Sequence, residues 1–302
     1  MLPMPSRPRP PHKLLLYRHA VQEPEAEVAF LHRAYVHHRR RGGGLEPVLL
    51  REDFAGTAAV AAAWVGLGPD HQAMAIERHG PTLRWADRHS RRPLGNRAED
   101  LHLIEADVVE VASPRVDIIC ALNFSSFIYH DRPQMRNYLR HARRALRRDG
   151  ILVLDVFGGP DAMRPGLRWR RVEPAAGSGL APFACCWEQR RYDAVTGRID
   201  CRVHFSGIAD EAERAGSAAF TTRRSAFRYD WRLWTLAELN ELMQEAGFAS
   251  AAIWTAPLAP EPDRSSGGAG TSPAHCLARG SFSPVTKFPN REGWLAYIVG
   301  LK

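Results

Sequence analysis

Between residues 46 and 157 short apolar runs alternate with helical patterns, and this alternation limits the fold more than any other feature of the chain. "PVLL" (47–50), "QAMAIE" (72–77), "LHLIEAD" (101–107), "VDIICALN" (116–123) and "ILVLDVF" (151–157) read as strands. "TAAVAAAWVG" and "GPTLRWADRHS" read as the helices between the first three, the second with proline near its start. An arginine-rich helix, closed by Asp149-Gly150, leads into the fifth strand. There, Met135, Tyr138, Leu139, Ala142 and Leu146 fall on one helical face, and the arginines take the rest as a solvated face. Strands and helices at this spacing predict a parallel sheet covered on both sides.

After residue 157 the rhythm changes. "CCWEQRRY", "RIDCRVHFSGI" and "SAFRYDWRLW" read as strands, with "AVTGR" as the hairpin turn between the first two. In the second, Ile199, Cys201, Val203 and Phe205 share one face. In the third, Phe227, Tyr229, Trp231 and Leu233 lie opposite Arg228, Asp230 and Arg232. A helix returns at "TLAELNELMQEAGF", where Thr235 and Glu238 make a capping box and Gly247 a stop. "ASAAIWTA" and "GWLAYIVGL" are the last strands. The expected organisation is a disordered N-terminus over 1–13, a core over 14–157 and 235–302, and an inserted antiparallel cap over 158–234. Residues 14–38 read as one or two amphipathic helices, "HHRRRGGGLEP" as a loop, and "PLAPEPDRSSGGAGTSPAH" as a mobile loop too polar to pack.

Composition narrows the function. No run of about 18 apolar residues exists, so no membrane helix is expected. The basic, proline-rich start lacks the apolar segment of a secretory signal. Five scattered cysteines (Cys120, Cys185, Cys186, Cys201, Cys276) read as reduced thiols of a cytoplasmic protein, and no metal site is expected from them. The net charge of +8 favours anionic partners and raises the alternative of nucleic-acid binding. That role wants aromatic and basic residues interleaved on one surface. The insertion segregates them instead.

Ligands of an open parallel sheet bind at the carboxyl ends of its strands. Each of the first four strand ends here carries polar groups. Glu52, Asp53, Phe54, Gly56 and Thr57 follow the first. Glu77 ends the second, 21 positions after Gly56, where nucleoside-binding sheets place an acceptor for ribose hydroxyls. Asp107 ends the third and is suited to an adenine amine. Asn123, Phe124 and Ser125 follow the fourth. Arg78 and Val108 flank Glu77 and Asp107 and are taken with them. The first turn holds a single glycine and two preceding acids, unlike a G-x-G-x-x-G pyrophosphate turn, which argues against a nicotinamide-dependent oxidoreductase. It suits a nucleoside with a cationic tail, as in S-adenosylmethionine, whose sulfonium also attracts aromatic faces. Glu52 and Asp53 have a second reading as caps of the following helix, and Trp231 as core.

The segments "LREDFAGTA", "AIERHGPTLRWA", "EADV", "DIICALNFSSF", "GILVLDVFGG", "FRYDWRLWTLAELNELMQEAGF" and "WLAYIVGLK" together resemble the class I S-adenosylmethionine-dependent methyltransferases, most of all a branch found in bacteria and plants. The resemblance spans most of the chain. It implies a doubly wound, Rossmann-like α/β sheet of seven strands with a reversed last strand. It implies Glu52, Gly56 and Thr57 at the methionine moiety, Glu77 at the ribose, Asp107 at the adenine and Asn123 near the methyl group. Phe54 stands where the family usually has glycine, and Ala55 where cysteine is common.

The expectation is therefore a methyltransferase acting on a small molecule, with an RNA-directed enzyme as the alternative. His130 and Tyr129, just past the fourth strand, are candidate bases. The insertion holds thirteen arginines against nine acids. Its Arg202, Tyr229, Trp231 and Arg232 are candidate acceptor contacts, and an arginine fork suggests an acidic acceptor. A homodimer through the insertion is the competing use of this segment.

Overall fold

Strand β1 (Leu49–Asp53) lies inside the main sheet, and all five of its residues are buried, three of them charged. The computed structural model that places it describes residues 10–39, 46–209, 219–256 and 282–302. Helices α1 (Lys13–Val21) and α2 (Pro24–Arg39) precede β1. After it come α3 (Ala59–Gly66), β2 (Gln72–Ile76), α4 (Gly80–Ala86), β3 (Leu101–Ile104), β4 (Val116–Ala121), α5 (Arg132–Ala145) and β5 (Leu146–Gly158). Strands β6 (Gly166–Val172), β7 (Phe183–Tyr192), β8 (Arg198–Gly207) and β9 (Arg223–Arg232) follow. Helix α6 (Leu236–Glu245), β10 (Ser250–Thr255), β11 (Ser283–Val285) and β12 (Trp294–Leu301) complete the order.

The main sheet runs β11-β10-β12-β5-β4-β1-β2-β3. Strands β1 to β5 are mutually parallel, and β12 enters antiparallel between β5 and β10. The sheet thus has eight strands where seven are expected. The extra one, β11, is a three-residue edge strand containing Pro284. An edge tolerates proline because one side of the strand needs no ladder bond, and three residues carry no readable alternation. Helix α2 reaches Arg39 and includes His37 and His38, so the expected loop starts later. Residues 10–12 are placed and α1 starts at Lys13, where His12 Nδ1 accepts from the Leu14 amide (3.3 Å). The rest of the N-terminal stretch expected to be disordered, the loop expected at 257–275, and Cys276 lie outside the described residues. The Thr235–Glu238 capping box forms as expected. The arginine face of α5 is solvated and partly paired: Arg132 and Arg136 both reach Glu245 of α6 (2.5 and 3.2 Å).

The insertion is a four-stranded antiparallel sheet, β6-β7-β8-β9. Strand β6 has no counterpart in the sequence reading. Its apolar residues Leu167 and Trp169 are exposed, so its pattern does not announce a buried face. Ile199, Cys201, Val203 and Phe205 of β8 are buried as the alternation predicts. The chain leaves β5 at Gly158-Gly159. A Cβ on Gly158 would stand 2.3 Å from the Trp294 ring, and Gly159 has φ +97° with a carbonyl as close, so only glycine passes here. The small sheet then folds back over the carboxyl ends of the main one. Trp231 packs edge-on to Phe124 and Phe127 (6.2 and 6.1 Å), and Trp187 packs likewise on Phe157 (6.2 Å).

One substitution for a helix shapes the β1 face. The connection from β3 to β4, residues 105–115, consists of turns. Arg51 of β1 reaches under it. Its Nε donates to Asp53 Oδ1 (2.6 Å), Nη2 to the Val108 carbonyl (2.6 Å) and Nη1 to the Val111 carbonyl. Asp53 in turn accepts from the Tyr138 hydroxyl of α5 through Oδ2 (3.0 Å). A buried guanidinium costs several kcal/mol unless its donors are satisfied. Here groups from a strand, a loop and a helix close one network around it. Arg51→Ala therefore leaves Asp53 buried and unpaired by any cation, and is expected to cost about 3–5 kcal/mol of unfolding free energy in urea titrations. A cost under about 1 kcal/mol would show that the pair does not hold the loop.

Candidate functional site

A cavity of about 340 Å³ opens at the carboxyl ends of β1, β2 and β4, roofed by α1 and β9. The turn after β1 forms its base. Phe54, Gly56 and Ala58 all adopt left-handed backbone (φ 55°, 52° and 53°). Only Gly56 does so freely; Phe54 and Ala58 each store roughly 1 kcal/mol or more. The turn is held by Ala55 N to the Ile76 carbonyl (2.9 Å) and by Ala58 N to the Ala55 carbonyl (2.8 Å).

Glu52 and Glu77 brace this turn from two sides. Glu52 Oε2 accepts from the Ala61 amide in the first turn of α3 (2.8 Å), so the carboxylate caps that helix and also lines the cavity. Burial pushes its pKa up to about 8, with the Glu77 and Asp53 charges adding and the Ala61 amide opposing. Glu77 Oε2 accepts from the Gly56 amide (3.1 Å) and Oε1 from the His79 amide (2.8 Å). Two amides thus orient a carboxylate that keeps lone pairs for further donors. Thr57 Oγ1 donates to Gln22 Oε1 (2.5 Å), tying the turn to the α1–α2 corner. Asp107 makes a turn after β3, accepting from the Val109 amide (3.1 Å).

After β4, Asn123 and Phe124 are both left-handed (φ 57° and 59°). Asp155 of β5 holds them, with Oδ1 accepting from the Phe124 amide (2.8 Å). Burial pushes the Asp155 pKa up to about 7, against the pull of the Phe124 and Asn123 amides. Asn123 lines the cavity, and its buried Oδ1 has no protein donor.

Glu52, Asp53, Phe54, Gly56, Thr57, Glu77, Arg78, Asp107, Val108, Asn123 and Ser125 of the sequence-based set all line this cavity, as do Tyr129, Tyr229 and Trp231. Asp53 commits both oxygens to Arg51 and Tyr138, which makes it a structural member of the wall. Phe124 is turned into the core against Phe157 (4.6 Å). His130 stands outside, with Nε2 on the Asp230 carbonyl (2.7 Å). Arg232 is likewise outside, stacked on Trp234 (3.9 Å) and bonded to Glu238 (2.8 Å). Arg202 lies on the outer face of the cap beside Asp200 and Ser225. Tyr129 faces the cavity, but burial raises its pKa far above the phenol range, which removes it as a base at neutral pH. The sequence reading missed Tyr17, Gln22 and Phe227. Tyr17 packs on Phe227 (4.8 Å) and Tyr229 on Trp231 (4.1 Å), giving the cavity an aromatic wall.

No family model and no curated protein matches this chain. Solved structures do. The chain is similar to the sugar N-methyltransferase KedS8 from a Streptoalloteichus species at 18% identity and TM-score 0.60, over 95% of this chain and 91% of that one. It is similar to CalS10, an amino pentose methyltransferase from Micromonospora echinaspora, at 13% identity and TM-score 0.60, over 95% of each chain. DesVI from Streptomyces venezuelae is 16% identical with TM-score 0.61, over 95% of this chain and 94% of that one. At these identities the likeness establishes the fold, an α/β methyltransferase fold with a mixed main sheet and an added antiparallel sheet.

The raised acids make stability depend on pH. A carboxyl whose folded pKa is raised favours the folded state while protonated. That contribution is complete below the unfolded values of 4.5 for Glu52 and 3.8 for Asp155, and is lost as pH rises through about 8 and about 7. The ligand-free protein is expected to lose melting temperature from about pH 4 to about pH 8 in thermal-shift scans and to level off above that, and Glu52→Gln to flatten the decline most between about pH 7 and 8, where Asp155 no longer contributes. A flat wild-type profile, or an equal slope in the variant, would contradict the assignment.

Proposed function

We propose that this protein is an S-adenosylmethionine-dependent methyltransferase acting on a small molecule that bears an amine. The observation that carries the reading is the pinned Glu77 carboxylate across the turn from Gly56, at the mouth of a cavity lined by acids rather than by bare amides. A dinucleotide pyrophosphate would be repelled there. A nucleoside with a cationic tail would be attracted. The site fits the cofactor on independent grounds as well: Asn123 Oδ1 is a buried acceptor awaiting a donor, and Glu52 holds a proton that a nearby cation would displace.

In this reading Glu77 accepts from the ribose hydroxyls, Asp107 from the adenine amine, and Glu52 and Thr57 face the amino-acid tail. Bound S-adenosylmethionine supplies a methyl group already activated on a sulfonium. What the protein adds is alignment and exclusion of water. The turn at Asn123 and Phe124, fixed by Asp155, defines one side of the reaction space, and Tyr17, Phe227, Tyr229 and Trp231 define the other. An acidic acceptor draws no support from Arg202 or Arg232, neither of which lines the cavity. An amine suits the acid-rich interior better. Two proteins of the same fold, KedS8 and CalS10, are a sugar N-methyltransferase and an amino pentose methyltransferase.

Calorimetric titration tests the proposal. S-adenosylmethionine and S-adenosylhomocysteine are expected to bind, and NAD is not. Glu77→Ala is expected to weaken S-adenosylhomocysteine binding by about 2–3 kcal/mol, and also to lower the ligand-free melting temperature, because the Gly56 and His79 amides lose their acceptor. Binding of NAD instead, or a Glu77→Ala variant that loses stability but keeps affinity, would overturn it.

A further inference from the structure

The interior of the cavity is acidic, but the residues gathered at its rim are basic. Residues 10–13 run past the roof just before Leu14, which lines the cavity. His12 stacks on Trp85 of α4 (5.9 Å), and Trp85 stacks in turn on His89 (4.1 Å). Lys13 Nζ stands 5.0 Å from the centre of the Phe227 ring, and that ring is part of the cavity wall. Arg223, the first residue of β9, donates through Nη2 to the Pro10 carbonyl (3.4 Å). One short stretch of chain thus draws cations of α1 and β9 together beside the mouth of the site.

This charge is unbalanced among the described residues. Lys13 has the Phe227 ring as its contact and no ion-pair partner there. Arg223 gives one bond to Pro10 and keeps further donors of its guanidinium. Arg88, next to His89, is exposed. Burial lowers the pKa of His12, and the charges of Arg223, His89, Lys13 and Arg88 lower it further. Cations gathered in this way repel one another and attract an anion.

We propose that Lys13 and Arg223 form the centre of an oxyanion subsite at the rim, and that the acceptor carries a carboxylate or phosphate there while its amine points inward. This rests on the methyltransferase reading above and deepens it by making the acceptor dipolar. Interior and rim select opposite charges. Glu52, Glu77 and Asp107 line the cavity and repel an anion from it, while the rim cations hold that anion at the mouth. A reversed pose is disfavoured at both ends, since its ammonium would face Lys13 and its anion the acids. Between the two fields lie the uncharged rings of Tyr17, Phe227 and Tyr229, against which the body of the acceptor can rest. The rim takes no part in the chemistry. It orients the acceptor, so that nitrogen rather than oxygen meets the methyl group.

Pairs of amines that differ by one oxyanion test this: glucosamine against glucosamine 6-phosphate, and tyramine against tyrosine. In calorimetric titration of the S-adenosylhomocysteine complex, the anionic member of at least one pair is expected to bind about tenfold tighter than its partner, as for hydrogen bonds to a charged group. The gain should shrink as salt is added, because the rim is open to solvent. A gain with the phosphate alone or with the carboxylate alone tells which oxyanion the subsite takes. Lys13→Gln and Arg223→Gln are each expected to remove most of the gain while S-adenosylhomocysteine affinity is kept. Lys13 is bonded to no described residue, so a folding defect in the Arg223 variant leaves the Lys13 variant to decide. Equal affinity within both pairs, no binding by any of the four amines, or a gain that survives in both variants would each overturn this inference and leave the cofactor reading standing. Failure of S-adenosylhomocysteine to bind would overturn the cofactor reading instead. Titration of the ligand-free protein with inorganic phosphate then decides the subsite: binding weakened by Lys13→Gln supports it, and no binding overturns it as well.

Discussion

The chain must bury a strand, β1, whose second half reads Arg-Glu-Asp, and the rest of the molecule is arranged around that constraint. Alternation sends Arg51 and Asp53 to one side of the sheet and Glu52 to the other. Each buried charge then needs partners inside the protein. Arg51 takes two carbonyls of the β3–β4 connection and the Asp53 carboxylate, and so replaces the helix that would otherwise cover this face. Asp53 reaches on to Tyr138 and anchors α5. Glu52, alone on the opposite face, caps α3 and is the one charge of the three left facing the cavity with an uncommitted oxygen. One residue of register separates the charges that build the fold from the charge offered to a ligand.

The second consequence is an interior with more acid than base. Glu52, Glu77, Asp107, Glu27 and Asp155 surround or back the cavity. Arg51 is consumed by its own network, which leaves Arg78 as the guanidinium on the wall. Buried carboxyls without cations retain protons, and the directions at Glu52, Glu27 and Asp155 agree on this. Such a site is poorly matched to phosphates and well matched to sulfonium and ammonium groups. The same imbalance makes the ligand-free protein weaker at high pH, and a bound cation offsets it.

How much of this was legible in the sequence depended on distance along the chain. The strand-end rule placed Glu52, Gly56, Thr57, Glu77, Asp107 and Asn123 together because each sits within a few residues of a strand terminus, where local pattern decides position. It could not assign Asp53 to structure, since its partners Arg51 and Tyr138 are two and 85 residues away. Strand alternation correctly put Tyr229 and Trp231 on the face that meets the cavity. The same alternation put Arg232 on the other face, and reading it as an acceptor contact went against its own evidence of register. His130 lies close in sequence to the site, yet its side chain is drawn away by β9, a hundred residues on. Tyr17 and Gln22 gave no signal, because only packing of α1 over the sheet brings them in. Strand β6 was invisible for the opposite reason: Leu167 and Trp169 are exposed, and Val172 at its end is the one buried apolar residue.

The central claim is that the acids at the ends of β1, β2 and β3 form one nucleoside site. A crystal structure of the complex with S-adenosylhomocysteine tests it most directly. The account predicts ribose hydroxyls within hydrogen-bonding distance of Glu77, the adenine amine at Asp107, and the Arg51–Asp53–Tyr138 network unchanged. A ligand bound elsewhere, or in this cavity with its ribose away from Glu77, would contradict it.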